Sequence, residues 1–272
     1  HAFDTYSSKL LDRLLSWLAA LGCPVVLLSA TLPPSRRRAL LRAYAGDDVD
    51  EPNTPYPRLL RATAGGVESK HWASATRYVE LGWLGRDPEA LARYLDDALQ
   101  HGGCAAVICN TVSAAQETFL ALQRDLDDGV ELNLFHARFP FGERDRRERQ
   151  AVSKFGKHGE RPARSVLVAT QVIEQSLDLD FDLMVSEVAP VDLLLQRSGR
   201  MHRHVRERPA GLEAPRLILI TPEIGENGVP VFGNSSFVYG DHLLLRTWLA
   251  FQGREGFSVP EDVEGLICQV YE

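Results

Sequence analysis

The sequence predicts an α/β fold built on a mainly parallel sheet. Two observations carry this expectation. Short apolar runs alternate with helical segments from residue 87 to residue 220, the rhythm of right-handed strand–helix–strand units. The runs Ala105–Cys109, Val166–Ala169 and Leu217–Ile220 are apolar at successive positions, as strands covered on both faces are.

The elements run in order. Asp4 is placed to cap a helix whose leucines 10, 11, 14, 15, 18 and 21 share one face, and Gly22 stops it. Val25–Leu28 reads as a buried strand closed by Ser29-Ala30-Thr31. Pro33-Pro34 opens a helix to Tyr44, and residues 47–57, rich in Asp and Pro, form a loop. Residues up to Lys70 stay unassigned. Tyr78–Leu81 is a strand at a boundary. Asp87 caps a helix to Gln100, ended by Gly102-Gly103. Strands Ala105–Cys109, Leu132–Phe135, Val166–Ala169, Asp182–Val185 and Leu217–Ile220 then alternate with helices at 113–126, 142–155 and from Val191. Tyr239–Phe251 reads as one striped helix, and Leu266-Ile267 lies in a last short one.

The chain of 272 residues is 44% hydrophobic and 25% charged, which excludes collagen-like and largely disordered classes. Lys plus Arg is 30 against 37 Asp plus Glu, a net charge of −7, which excludes a globally basic nucleic-acid binder but not a local basic face. The four cysteines form no Cys-x-x-Cys pair, which points to a reducing, cytoplasmic compartment without a zinc site. No apolar run approaches the length of a membrane span, so no membrane partner is expected.

The strongest chemical signal is Gln196-Arg197-Ser198-Gly199-Arg200-Met201-His202-Arg203-His204. Arginines recur every third residue, a spacing that would gather them on one helix face. Like charges so gathered repel unless an anion lies between them, and phosphate matches the guanidinium fork. Upstream, a strand delivers Thr170 to the carboxyl edge of the sheet, where open α/β folds bind ligands. Asp178, Asp180 and Asp182 alternate with apolar residues. Asp178 is read as functional, and Asp180 and Asp182 as the wet face of a strand or as structural. Asn110-Thr111 follows a strand and precedes a helix, either as a phosphate site or as an ordinary helix cap. His136 and Arg138 precede Arg144, Arg146, Arg147 and Arg149, interleaved with Glu143, Asp145 and Glu148. A phosphate surface and a salt-bridged exposed helix are equally good readings of that run.

The run from Gln196 resembles motif VI of superfamily 2 helicases, Gln-Arg-x-Gly-Arg-x-x-Arg, at every specified position. That resemblance implies a RecA-like three-layer αβα fold. It makes Arg200 and Arg203 arginine fingers on the ATP γ-phosphate and brings Gln196 to the nucleotide or the attacking water. Gly199 belongs to the ATP site, Arg197 is a structural or phosphate partner there, and Asp178 organises the cleft. Residues 168–178 resemble motif V, in which Thr170 contacts a nucleic-acid phosphate. Ser29-Ala30-Thr31 resembles motif III, which couples the ATP state to grip. Asn110 and Thr111 resemble motif IV, and His136 and Arg138 the backbone-contacting segment between motifs IV and V.

The string from Ala169 to Asp182, then Ala189-Pro190 and Leu193 to His204, is similar to the CRISPR-associated helicase–nuclease of type I systems. The resemblance implies an ATP- and Mg²⁺-dependent motor on single-stranded DNA. It also implies recruitment by the RNA-guided Cascade complex and an HD nuclease in cis or in trans. It divides the chain into a remnant of a first RecA-like domain (1–75), a complete second one (76–222) and the start of a C-terminal extension (223–272). His1 would match the last residue of the family's Asp-Glu-x-His box. The sequence holds no Gly-x-x-x-x-Gly-Lys-Ser/Thr loop and no HD segment, so the main ATP-binding residues are expected outside these 272 residues. Two rival readings remain: a superfamily 2 helicase outside CRISPR defence, and a non-catalytic RecA-like binding module.

Overall fold

A computed structural model describes residues 5–63, 65–174 and 177–272. The expectations resting on His1, Asp4, Gln175 and Ser176 lie outside the described residues.

The first elements are helices α1 (Thr5–Ala20) and α2 (Pro34–Ala45), then an antiparallel hairpin of β1 (Arg58–Thr63) and β2 (Gly66–His71). Next come β3 (Arg77–Leu84), α3 (Pro88–Ala98), β4 (Gly103–Ile108), α4 (Val112–Asp125), β5 (Glu131–Phe135) and α5 (Phe141–Phe155). After them are β6 (Arg164–Ala169), a 3₁₀ turn (Gln171–Ile173), β7 (Leu183–Glu187), α6 (Val191–Ser198) and β8 (Arg216–Ile220). The chain continues through the short pair β9 (Glu223–Ile224) and β10 (Pro230–Val231), α7 (Ser235–Tyr239), α8 (Asp241–Phe251), β11 (Gly256–Val259) and α9 (Val263–Tyr271).

The chain forms two compact units, residues 1–77 with 258–272, and residues 78–257. The expected third segment, 223–272, is divided between them.

The first unit differs from expectation. Val25–Leu28 is not a strand, and Val26 and Leu28 are 82% and 94% exposed. A strand apolar on both faces needs a neighbour on each edge and a layer on each face. Among the described residues no strand lies beside Val25–Leu28. The unassigned stretch to Lys70 is the β1–β2 hairpin. Glu264 of α9 ties this unit together by pairing with Arg37 and Arg58.

The second unit carries the sheet, ordered β11-β3-β8-β7-β4-β6-β5. The pairs among β3, β8, β7, β4, β6 and β5 are all parallel. From β3 and β4 the chain crosses toward the β5 edge, and from β5 and β7 it steps back the other way. Right-handed crossovers therefore put α3 and α4 on one face and α5 and α6 on the other, giving three layers. Leu91 and Leu95 of α3, Leu99 just after it, and Ala115 and Leu122 of α4 bury against Ala105, Val107, Val166, Val168 and Val185 of the sheet. Phe155, which closes α5, is fully buried, with its ring 5.0 Å from that of Phe181. This is the RecA-like α/β arrangement. The helix expected from Tyr239 to Phe251 is α8, which starts at Asp241; Gly240, whose φ of 79° lies in the left-handed region, separates it from the short α7, which the sequence did not predict.

Candidate functional site

Parallel strands end at one edge, and their register aligns the residues that succeed them. Ile108 of β4 pairs with Ala169 of β6 and Ser186 of β7, and Phe135 of β5 pairs with Ala169. The residues just beyond, Asn110, Thr111, His136, Thr170 and Glu187, therefore share the carboxyl edge of the sheet.

Arg197 lies beneath that edge, with no exposed surface. Its Nε donates to Glu174 Oε1 (2.7 Å), Nη1 to Ser186 Oγ (2.7 Å) and Nη2 to Asn110 Oδ1 (3.3 Å). Asn110 in turn donates from Nδ2 to the Val188 carbonyl (2.7 Å) and to Ser235 Oγ (3.0 Å). Gln171 Nε2 donates to the Asn110 carbonyl (2.7 Å) and to the Tyr239 hydroxyl (2.8 Å). A buried guanidinium is tolerable only when its donors are satisfied, and here the partners come from β7 and the segments after β4 and β6. Burial pushes the Glu174 carboxyl above its ordinary value, with Arg197 opposing.

This geometry corrects two expectations and favours the structural alternative at Arg197, a keystone whose fork is committed to interior partners. Asn110 is 2% exposed and fully engaged, so it presents nothing to a nucleic acid. The expected single helix face of arginines does not exist: α6 ends at Ser198, Gly199 caps it, and Arg200 and Arg203 lie in the loop beyond. A Cβ on Gly199 would come 3.2 Å from the Gln196 carbonyl, which makes glycine suited to this tight exit.

That loop is held from below. Phe181 N donates to the Arg200 carbonyl (2.9 Å) and His202 N to the Phe181 carbonyl (3.0 Å), which ties the loop to residues 179–182. Met201 is buried as its anchor. Arg200 Nη2 donates to the Glu174 carbonyl (2.7 Å), while its Nε is buried without a partner. Burial, and then the charge of Arg203, press the Arg200 guanidinium below its ordinary pKa. Arg203 is 41% exposed and its Nε lies 2.7 Å from Asp178 Oδ1. Gln196 is half-buried on the last turn of α6.

Asp180 and Asp182 are not a wet face. Both are buried. Asp180 accepts from Arg208 (2.9 Å) and from the Arg203 backbone N–H (2.9 Å), and Arg206 Nε lies 2.8 Å from it. Asp182 accepts from Cys104 N (2.6 Å), Arg208 Nη1 (2.7 Å) and Arg161. Burial alone would push the Asp182 carboxyl up, yet Arg161, Arg208 and the Cys104 N–H together hold it below the ordinary carboxylate range. Sequence reasoning missed Glu174, Ser186, Ser235, Tyr239 and Arg161. Glu174 lay inside a recognised string, but its partner is 23 residues away and nothing local marks the pairing.

At the other candidates, Thr170 is buried at the end of β6, and Thr111 caps α4 by accepting from Ala114 N (3.1 Å). His136 is buried, stacked on Phe139 at 3.9 Å, and burial lowers its pKa, so its ring is part of the interior rather than a phosphate contact. Arg138 is exposed. The α5 run is largely the salt-bridged helix: Glu143 holds Arg146 and Arg147, and Asp145 holds Arg149. In the first unit, Thr31 is buried and its N–H donates to Ser29 Oγ (3.3 Å), and the Ala30 carbonyl accepts from Tyr56. No group of side chains with metal-ligand composition occurs among the described residues.

At the Arg200–Arg203 loop one guanidinium has an orphaned, buried N–H and the other, partly exposed, is paired with Asp178; guanidinium donors of this kind have the chemistry to hold a phosphate. No described helix is long and apolar enough to cross a membrane.

Comparison with known proteins places this arrangement. Residues 101–206 match the family model described as the C-terminal part of the CRISPR-associated nuclease/helicase Cas3. The chain is 42% identical, over its whole length, to 34% of a CRISPR-associated endonuclease/helicase Cas3 of Thermus thermophilus. It superposes over its whole length on 34% of the T. fusca Cas3–ATP crystal structure, with a TM-score of 0.88 and 38% identity. It likewise covers 36% of a chain in a structure of a CRISPR RNA-guided surveillance complex before nicking, with a TM-score of 0.84 and 36% identity. The chain spans about a third of the length of the curated relatives it matches. With the motif VI loop on a RecA-like sheet and similarity running from end to end, this chain belongs to the Cas3 family of CRISPR-associated nuclease/helicases.

Proposed function

We propose that this chain supplies the arginine-finger half of an ATP-driven motor that moves on single-stranded DNA in type I CRISPR interference. The observation that carries this reading is the Arg200–Arg203 loop, seated on the buried Arg197–Glu174 pair and turned outward beyond α6. The 78–257 unit is the second RecA-like domain in this reading.

Bound ATP, with Mg²⁺, would supply a γ-phosphoryl group to be transferred to water. The chain's own residues act around that group. Arg200 and Arg203 place two guanidinium forks where negative charge grows, in a site partly withdrawn from water, where such charges act strongly. Asp178 holds Arg203 until a stronger anion competes for it. Gln196 orients a hydrogen-bonding partner at the same face. Arg197 acts through position: it fixes the segments after β4 and β6 that carry Thr111 and the buried Thr170, and the Thr111 hydroxyl, with Arg138, touches DNA phosphates. Ser29, Ala30 and Thr31 couple the nucleotide state to that grip. A phosphate loop and an acidic pair for Mg²⁺ are not among these 272 residues, so a partner domain provides them. Recruitment by Cascade and coupling to an HD nuclease are inferred from the relatives' names and assemblies.

The test is DNA-stimulated ATP hydrolysis by the intact protein. Arg200→Ala should lower turnover by about 10³-fold while single-strand binding stays within a few-fold. Unchanged turnover would remove the finger assignment. Residues 1–272 alone should show negligible hydrolysis, and robust turnover by them would refute the division of labour.

A further inference from the structure

The α5 run contains one part that the salt-bridged reading leaves unexplained. Between β5 and α5 the chain turns over residues 136–140. The inner side of this turn is clamped. His136 and Phe139 stack with their planes 2° apart, and the Arg147 guanidinium lies 4.1 Å from the Phe139 ring centre. Arg147 also donates to the Leu134 carbonyl at the end of β5 (2.8 Å). His136, Phe139 and Arg147 thus form a three-layer stack pinned to the sheet. A clamp of this kind fixes which residues of the turn face outward.

The outward residues are Arg138, Phe141 and Arg144. Phe141 is 88% exposed at the first position of α5, far more than a phenylalanine needs to be in a fold with this much interior. Arg144 stands three residues on, on the same side of the helix. Arg138 and Arg144 are exposed, and neither has a side-chain partner among the described residues. Of the nearby acids, Glu143 is engaged with Arg146 and Arg147 and Asp145 with Arg149, while Glu148, four residues beyond Arg144, forms no ion pair with it among the described residues. A bare aromatic ring flanked in sequence by two exposed guanidinium groups without ion pairs, at the start of the helix that follows β5, has the composition of a stacking platform for a single nucleic-acid strand.

We propose that Phe141 stacks on a base of the bound single strand while Arg138 and Arg144 hold the flanking phosphates. The inference rests on the single-strand motor reading and deepens it: the motor grips one base by its face as well as the backbone by its charge. Stacking is tolerant of sequence because every base has a π-face, so such a contact does not conflict with a motor that travels along any strand.

The experiment compares binding of the intact protein to a fluorescent single-stranded DNA with binding to the same oligonucleotide made abasic throughout, across a salt series. Phe141→Ala should weaken binding to the normal strand roughly ten-fold and leave binding to the abasic strand unchanged. Phe141→Trp should restore or exceed the original affinity. The double variant Arg138→Ala/Arg144→Ala should weaken both strands and flatten the salt dependence by about 1.4 in log–log slope, the value for two phosphate contacts on a single strand. Thermal melting of each variant checks the fold, and little change is expected at such exposed positions. Equal affinity of Phe141→Ala and the original protein for the normal strand overturns the proposal, as does equal weakening on both strands. Loss of recruitment to the surveillance complex without loss of DNA affinity would assign the ring to a protein partner and also overturn it. A protein that binds no single strand in any form fails the functional reading itself, and that result is distinct from the others.

Discussion

Two arginine-rich segments look alike in sequence and differ in the folded chain. From Arg138 to Arg149 the ion pairs are local, spaced three or four residues apart on an exposed helix. From Arg197 to Arg208 the pairs reach back about twenty or more residues and are mostly interior. The first kind exchanges water for a neighbour at little net gain. In the second kind the desolvation has already been incurred, so removing one partner leaves an uncompensated buried charge. The number of arginines therefore says little about their importance. Burial and the sequence distance to the partner say much more.

The comparison breaks most sharply at Arg197. Arg197→Ala strands Glu174, opens a cavity and unseats Asn110, and should cost about 3–5 kcal/mol. Chemical denaturation of residues 78–257 in the intact protein would measure it, and a loss below about 1 kcal/mol would show the keystone to be dispensable.

An intermediate effect should come from pH. Burial depresses the pKa of His136 and of His202, His202 also feeling Arg208. Their folded pKa values lie below the unfolded value, about 6.5, so the unfolded chain binds protons first as pH falls. The stability that the neutral rings contribute is present above that pH and declines as pH drops below it. Melting temperature should fall from pH 7 to pH 5, and His136→Gln should shallow that slope. An unaltered slope in the variant would place the titration elsewhere.

The smallest effect belongs to Arg149. Arg149→Ala removes an exposed pair with Asp145 and should change stability by no more than about 0.5 kcal/mol, within about two degrees of melting temperature. A larger loss would mean that the α5 pairs act as a network.

The motifs were legible because their chemistry is local. Motif VI could be read as a string, and Asp87 was visible as a cap that accepts from the Glu89 and Ala90 N–H groups. The alternation of strands and helices was legible because each period is set by the backbone itself. Val25–Leu28 misled because apolar composition specifies burial only where neighbours exist to provide it. For Asp180 and Asp182 the sequence left a wet face and a structural role both open, because alternation shows that two faces differ, not which one is wet; burial decides for the structural role.

The α/β class, the order of the elements and the presence of the Gln196–His204 string are written in the amino-acid order alone, because all three are properties of spacing and side-chain chemistry. Which arginines are buried emerges only in the folded chain. Arg197 lies under the sheet edge and Arg200 and Arg203 outside it because α6 ends at Ser198. The charges that hold that arrangement, Glu174, Asp180 and Asp182, meet their partners only when distant strands align.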